Sequence, residues 1–210
     1  MMGPMRMVKF PHSCIRFETS EGRLVVDPGA FSGSEPLEDP DVILITHVHF
    51  DHLDPDAVRD LKARRPDLLI YGPPSLSEFL KDTPFTAVRH GDTIEAAGMT
   101  VKVFGEVHAV IHPSIPVIEN VGYYFDGIFH PGDSFTVPDL PVHTLLAPTA
   151  APWMKLSEGT DYIDRVAPQR VHPIHEAILS TEGVAVFDRM LNALTAPEYI
   201  RLGNGEGVDL

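Results

Sequence analysis

Three histidines and one aspartate lie within six consecutive residues, in the segment HVHFDH from His47 to His52. Imidazole and carboxylate groups are the usual protein ligands of zinc, manganese and iron. A loop would let these side chains divide between two ions, with His47 and His49 on one and Asp51 and His52 on the other. Two ions roughly 3.5–4 Å apart can together polarise a substrate and activate water. The segment therefore predicts a metal centre rather than a solvated histidine-rich loop.

The residues on either side predict the elements that hold this segment. Residues 41–46, DVILIT, are mostly β-branched and aliphatic, which is typical of a strand buried on both faces. After the segment, Asp54 can cap a helix and Pro55 suits its first position, so a helix is expected to reach about Arg65. The histidines are thus expected in a loop between a buried strand and a helix.

The order Thr-His-x-His-x-Asp-His after a hydrophobic strand resembles the metallo-β-lactamase-fold hydrolase superfamily, and the match is intact over residues 46–52. The family pattern contains three later ligands, and the chain has a residue for each. His108 follows a predicted strand, where the family has the third histidine of its first site. Asp133, in HPGDS, matches the aspartate that bridges the two ions. His175 follows another strand in a Pro-Ile-His context, like the last histidine of the second site.

The resemblance implies a complete ligand set for two ions. The first ion would be bound by His47, His49 and His108, the second by Asp51, His52 and His175, and Asp133 would be shared. His112 is the alternative third ligand of the first site. If His108 takes that position, His112 becomes either a pocket residue for substrate contact or proton transfer, or an exposed loop histidine.

Four further residues are candidates for the surroundings of the metals. Asp27 ends an apolar strand. The resemblance favours a role as a hydrogen-bond acceptor beneath the metal loop, residues 47–52, over a role in a turn. His12 lies between the first two strands and either faces the pocket or belongs to a turn. Trp153, the only tryptophan, lies near Lys155 in a loop and either walls the pocket or covers the core.

The strands fall into two groups, over residues 5–107 and 120–174, with helices after each group. Strands are predicted over residues 5–10, 14–19, 23–26, 41–46, 68–71, 86–88, 93–96, 100–107, 120–125, 128–129, 142–146 and 170–174, and helices over 55–65, 75–81, 157–166 and 181–194. A capping box is expected from Ser75 to Glu78, and an edge strand over 199–202 before a mobile glycine-rich end. Two sheets packed face to face, with helices outside, would bury both groups. The resemblance implies the same α+β architecture, a four-layer αββα sandwich, as a single domain over residues 1–210.

Composition narrows the function classes. The chain has 16 basic and 30 acidic residues, and its net charge of −14 argues against nucleic acid as a partner. Cys14 is the only cysteine, so an internal disulfide is excluded and a cytoplasmic location is expected. No apolar run approaches the ~20 residues of a membrane span, so a membrane partner is not expected. A homo-oligomer is compatible with the sequence.

The resemblance implies a metal-dependent hydrolase, with two zinc ions and a metal-bound hydroxide as nucleophile. Manganese and iron fit the same ligands. Asp133 would act as the bridge, and Asp51 would also orient the attacking water. The substrate would be a small ester, lactone, phosphodiester or amide. The compact size, the His-Ser pair at residues 12–13 and the Pro-Ile-His ending most resemble the ascorbate-6-phosphate lactonase-like group.

Two other functions use the same ligands. An iron-dependent oxidoreductase, such as a dioxygenase, is the main alternative. Electron-transfer members of the superfamily usually have glutamate in place of the second histidine of the motif, and His49 argues against them. A metal-binding protein without turnover is the third reading, against which the intact ligand set argues.

Overall fold

Two seven-stranded sheets form the centre of the computed structural model, which describes residues 4–210. The first contains β1 (Arg6–Lys9), β2 (Ile15–Thr19), β3 (Gly22–Val26), β4 (Val42–Leu44), β5 (Leu69–Gly72) and β6 (Thr86–Ala87). The second contains β7 (Thr93–Ala96), β8 (Met99–Phe104), β9 (Gly122–Phe125), β10 (Ile128–His130), β11 (Thr144–Pro148), β12 (Arg170–Ile174) and β13 (Glu198–Tyr199). The last strand, β14 (Gly207–Asp209), returns to the edge of the first sheet.

Each sheet changes from antiparallel to parallel pairing along its width. The strand orders are β14-β1-β2-β3-β4-β5-β6 and β13-β12-β11-β10-β9-β8-β7. Strands β3 to β6 pair in parallel, as do β10 to β13. The carboxyl ends of neighbouring parallel strands meet at the same edge of a sheet, so the loops that follow β4, β11 and β12 leave from such edges.

Apolar side chains between the sheets form the main core, with Phe17 and Leu44 from the first sheet and Val103 and Phe125 from the second. Helices α1 (Pro55–Arg64) and α2 (Leu76–Leu80) cover the outer face of the first sheet. Helices α3 (Leu156–Val166) and α4 (Thr181–Leu194) cover the outer face of the second. The predicted four-layer αββα sandwich is confirmed.

Strand β4 shows why this order of layers holds the metal loop firmly. Leu44 lies in the core between the sheets, whereas Ile43 and Ile45 contact the helical layer. The strand is therefore buried on both faces, as its apolar run predicts. Tyr123 on β9 donates a hydrogen bond of 2.7 Å to the carbonyl oxygen of Ile45 and so links the second sheet to the start of the metal loop.

The carboxyl-terminal end differs from the prediction. The edge strand is β13, which is shorter and begins earlier than expected, and residues 207–209 pair with β1 instead of forming a mobile tail. The pairing satisfies backbone groups at the edge of β1, because the Lys9 amide donates to the Glu206 carbonyl at 3.0 Å and the Lys9 carbonyl accepts from Gly205 at 2.8 Å. An unpaired edge would leave those groups to solvent.

Two further predicted features are wrong. The capping box at Ser75 does not form, because this residue has helical dihedral angles and its backbone N–H donates to Glu119 instead, at 2.8 Å. Strand β8 ends at Phe104 rather than at Val107, because Gly105 adopts a left-handed φ of 79° that turns the chain away from the sheet.

A buried lysine ties the end of β1 to the segment that follows β12. The Lys9 side chain is 3% exposed, and its ammonium group donates to the carbonyl oxygens of Phe10 and His12 and to the Glu176 carboxylate at 2.8 Å. Burial lowers the pKa of Lys9, and the Glu176 charge opposes that shift. The ammonium group thus fixes the turn that contains His12.

We expect Lys9→Met to lower the free energy of unfolding by about 3 kcal/mol, because it leaves the half-buried Glu176 carboxylate and two carbonyl groups without the Lys9 donor. Urea denaturation of the metal-free protein measures the change. Lys102→Met, at an exposed position of β8, is the matched control and should change stability by less than about 0.5 kcal/mol. Equal stability of the two variants would contradict a structural role for Lys9.

Candidate metal centre

The predicted ligands lie in four loops that follow strands of both sheets. Residues 47–52 follow β4, and His108, Asp133 and His175 follow β8, β10 and β12. His47, His52, His108, Asp133 and His175 are buried, whereas His49 and Asp51 are half-buried. The centre therefore opens to solvent beside His49 and Asp51.

The side chains form two adjacent clusters whose donor atoms, within each cluster, lie within 4.8 Å of one another. One cluster contains His47, His49, His108 and Asp133, and the other contains His12, Asp51, His52 and His175. Donor atoms on a common ion at about 2.0–2.2 Å are at most about 4.4 Å apart, so this spacing is close to that of a ligand set.

Asp133 lies between the two clusters. Its Oδ1 atom is 3.1 Å from His52 Nε2, and its Oδ2 atom is 3.3 Å from His108 Nε2 and 2.9 Å from His175 Nε2. The carboxylate thus faces one histidine of the first cluster and two of the second. A carboxylate in this position can reach donor atoms of both clusters.

The histidine ring nitrogens divide into an occupied set and a free set. In the four buried histidines of the predicted ligand set, the Nδ1 atom has a hydrogen-bond acceptor: Thr46 Oγ1 for His47 at 3.0 Å, Asp27 Oδ2 for His52 at 2.7 Å, Ala109 O for His108 at 2.5 Å and Ala150 O for His175 at 2.7 Å. Within residues 4–210, the buried Nε2 atoms of these four histidines and Asp133 Oδ1 make no hydrogen bond of regular geometry, although three of the Nε2 atoms lie 2.9–3.3 Å from the Asp133 oxygens. A fixed Nδ1–H and a free Nε2 are the usual state of a histidine that binds a metal, so the residues present fit metal ions.

Charges inside the centre keep its carboxylates ionised. Burial alone would raise the pKa of Asp133, but His52 and His175 hold it well below the usual value. Burial also opposes the shift at Asp51, where the hydrogen bond from His12 and the neighbouring histidines lower the pKa to about 2. Burial would lower the pKa of His52, yet the carboxylates of Asp133 and Asp27 raise it well above the usual value.

Asp27 lies beneath the metal loop, where the resemblance places it. Its Oδ1 atom accepts from the Thr46 amide at 2.7 Å, and its Oδ2 atom accepts from the Thr46 hydroxyl and from His52 Nδ1, both at 2.7 Å. The segment after it packs tightly, because a Cβ on Gly29 would lie 2.0 Å from the carbonyl oxygen of Asp51. Asp27 therefore orients both Thr46, which directly precedes the metal loop, and the predicted ligand His52.

Two residues fix Asp133, one through its carboxylate and one through its backbone amide. Trp153 is 9% exposed and donates from Nε1 to Asp133 Oδ2 at 2.9 Å, so it contacts a predicted ligand as well as covering the core. Asn120 was missed from the sequence. Its Oδ1 accepts from the Asp133 amide and its Nδ2 donates to the Pro131 carbonyl, both at 2.9 Å. The only signal was a polar residue at the start of a predicted strand.

His12 faces the centre rather than a solvent turn. Its Nε2 atom donates to Asp51 Oδ2 at 3.0 Å, and its ring lies 4.0 Å from that of His175, centroid to centroid. The backbone has a left-handed φ of 67°, which Lys9 and the amide of His175 support through hydrogen bonds to the His12 carbonyl. His12 thus joins the second cluster, beyond the ligand set that the resemblance implies.

The structure places two candidates outside the centre. His112 is exposed, its Nδ1 contacts Ser114, and it is not part of either cluster, whereas His108 is. Lys155 is exposed at the beginning of α3 and is not part of either cluster. In both cases the loop carries the side chain outward, which sequence spacing alone does not reveal. Among residues 4–210, no helix is both long and apolar enough to cross a membrane.

Comparison with known proteins identifies the family. A sequence profile described as a beta-lactamase superfamily domain matches residues 6–175. The protein Rv0786c of Mycobacterium tuberculosis is 40% identical over 202 residues, which cover 93% of this chain and 95% of that protein. A UPF0173 metal-dependent hydrolase of Methanosarcina barkeri is 24% identical over 232 residues, covering 95% and 96%.

The fold agrees with solved structures. The structure of Igni18, described as a metallo hydrolase of the archaeon Ignicoccus hospitalis, superimposes with a TM-score of 0.74 at 19% identity and covers 99% of both chains. The predictions of the superfamily and of a metal-dependent hydrolase are confirmed at this level. The chain belongs to the beta-lactamase superfamily and is a metal-dependent hydrolase with the metallo-β-lactamase fold.

Proposed function

We propose that this hydrolase holds two divalent ions, most simply zinc, and cleaves a small ester, lactone, phosphodiester or amide. The observation that carries the proposal is the set of buried donor atoms that, in the described part of the chain, face one another without a hydrogen bond of regular geometry. Four imidazole nitrogens and one carboxylate oxygen in this state are costly unless a cation binds them.

The two clusters support the assignment of ligands that the resemblance implies. The first ion would be bound by His47, His49 and His108, the second by Asp51, His52 and His175, and Asp133 would be shared. These nitrogen and oxygen donors suit zinc, and also manganese or iron. When bound, the ions would polarise the carbonyl or phosphoryl oxygen of the substrate and lower the pKa of a water molecule.

The protein side chains then have separate tasks. The half-buried Asp51 stands at the open side of the centre, and its low pKa keeps it an acceptor that can orient the attacking water. His12 fixes Asp51 by donating to Oδ2, which leaves Oδ1 free for an ion or for water. Trp153 fixes Asp133 in the same way, by donating a hydrogen bond to its Oδ2 atom.

Other parts of the proposal rest on the sequence alone. A small-molecule substrate, a cytoplasmic location, a homo-oligomer and a kinship with the ascorbate-6-phosphate lactonase-like group belong here as proposals. The iron-dependent oxidoreductase uses the same donors but has less support, because several relatives are named metal-dependent hydrolases.

The metal content of the purified protein tests the proposal. We expect about two zinc or manganese ions per chain, and a loss of at least one ion in His47→Ala and in His175→Ala, because each variant removes a buried donor. His112→Ala, which changes an exposed histidine of a neighbouring loop, is the matched control and should keep both ions. Elemental analysis gives the counts, and chelation should abolish hydrolysis of p-nitrophenyl esters or bis(p-nitrophenyl) phosphate.

Three results would count against the proposal. A wild-type protein without metal would remove the dinuclear centre. Equal metal content in His47→Ala and His112→Ala would refute the ligand assignment. Iron as the main metal, with oxygen consumption in place of hydrolysis, would favour the oxidoreductase.

Asp27→Asn should weaken zinc binding by about 10–100-fold, because the new amide group can place a donor against His52 Nδ1 and disturb the ring that Asp27 orients. Competition with a fluorescent zinc chelator measures the affinity. Asp126→Asn is the control, because Asp126 lies in an exposed turn with a left-handed φ of 46° that asparagine tolerates. An unchanged affinity in Asp27→Asn would show that this acceptor is dispensable.

A further inference from the structure

Large apolar side chains are exposed at the open side of the centre. Phe31, Phe50, Ile115 and Val117 are 39%, 63%, 46% and 48% exposed. We call these four residues the apolar rim. Exposed apolar side chains are ordinary when scattered, whereas a group of them around a site indicates binding of an apolar group.

The first half of the rim touches the second cluster. The ring of Phe31 packs edge-on against His12, with centroids 5.2 Å apart, and lies 5.3 Å from the ring of Phe50. Phe50 itself stands between His49 and Asp51 in the metal loop. Its exposed side chain thus contacts the Phe31 ring, which in turn packs on His12 of the second cluster.

The second half of the rim lies against the first cluster. A crevice is lined by His49 and His108 together with Ile115, Pro116 and Val117. These apolar residues belong to the segment 105–118, which leaves β8 early at Gly105. The ions would thus have apolar side chains on both sides.

The segments that carry the rim have few charges. Residues 29–34, 47–53 and 105–118 contain no lysine or arginine, and their only acidic residues are Asp51, held by His12, and Glu106. A phosphate or carboxylate remote from the scissile bond would have no cationic side chain from these segments to bind. The charge that an anionic substrate needs would come from the ions alone.

We propose that the substrate is an uncharged carboxylic ester, lactone or amide whose hydrocarbon group lies on the apolar rim; this inference rests on the proposed function. In the reaction, the oxygen of water bonds to the acyl carbon, the acyl C–O or C–N bond breaks, and the leaving alcohol or amine takes up a proton from the water. The apolar rim binds the hydrocarbon part of the substrate, and the acyl carbon lies at the open side of the centre, beside His49 and Asp51.

Binding of alkyl hydroxamates to the zinc-loaded protein tests the rim without turnover. The hydroxamate group is the same in every probe, so differences in Kd report the tail. Calorimetry should show affinity rising from acetohydroxamate to octanohydroxamate by at least about tenfold, since each methylene removed from water contributes up to about fourfold. Succinohydroxamate, with a carboxylate tail, should bind more weakly than butyrohydroxamate.

Substitutions connect the effect to the rim. Phe50→Ser and Val117→Ser should weaken octanohydroxamate binding by about three- to tenfold and leave acetohydroxamate unchanged, because only the tail contacts the rim. Val186→Ser on the outer helix α4 is the matched control for Val117→Ser, since both valines are 48% exposed, and it should change neither Kd.

The outcomes separate this inference from the proposed function. Failure to bind either zinc or manganese overturns the proposed function and this inference with it. Zinc binding with a Kd independent of tail length, or with tighter binding of succinohydroxamate, overturns only the apolar substrate. Tail-independent binding together with a lower sedimentation coefficient for Phe50→Ser would assign the rim to contact between copies of the chain and would also overturn it.

Discussion

The centre depends on one unfavourable feature, which is a group of buried donor atoms turned toward one another. Within the described chain, Nε2 of His47, His52, His108 and His175 and Oδ1 of Asp133 make no hydrogen bond of regular geometry. Each such atom costs about 1–3 kcal/mol, which is large against a total stability of about 5–15 kcal/mol. The rest of the structure has to hold these atoms in place until a cation binds them, so the scaffold must be rigid before the metal arrives.

That rigidity comes from hydrogen bonds to Nδ1 of the four buried histidines and from left-handed turns around the second cluster. His12, Asp27 and His175 have left-handed φ values of 67°, 52° and 67°, which residues other than glycine adopt at some cost. The Lys9 ammonium and the His175 amide both bind the carbonyl oxygen of His12. The ion pair between buried Lys9 and half-buried Glu176 therefore supports two of these turns at once, and it is better explained by the positions of the histidines than by stability alone.

The sequence predicts the parts of this centre that are local. The apolar run before residue 47 predicts a buried strand, and the spacing of the histidines and aspartate in residues 47–52 predicts a metal loop. Each of these signals is contained in a few consecutive residues. The roles of Asn120 and Lys9, and the direction in which His112 points, depend on how two sheets and distant loops pack. The prediction for the carboxyl-terminal tail is wrong for the same reason. Its glycine-rich composition predicts mobility, but residues 207–209 pair with β1, a strand that is distant in sequence.

The metal ions and the loops beside them would have different roles, and this difference explains how one scaffold can serve different substrates. Two divalent ions would bring four positive charges, of which the carboxylates of Asp51 and Asp133 neutralise two, so the centre would attract the electron-rich oxygen of any acyl or phosphoryl group. That attraction is common to every substrate of this reaction class and therefore gives little discrimination. Discrimination has to come from the loops beside the ions, and in this chain those loops present Phe50 and Val117 rather than cations.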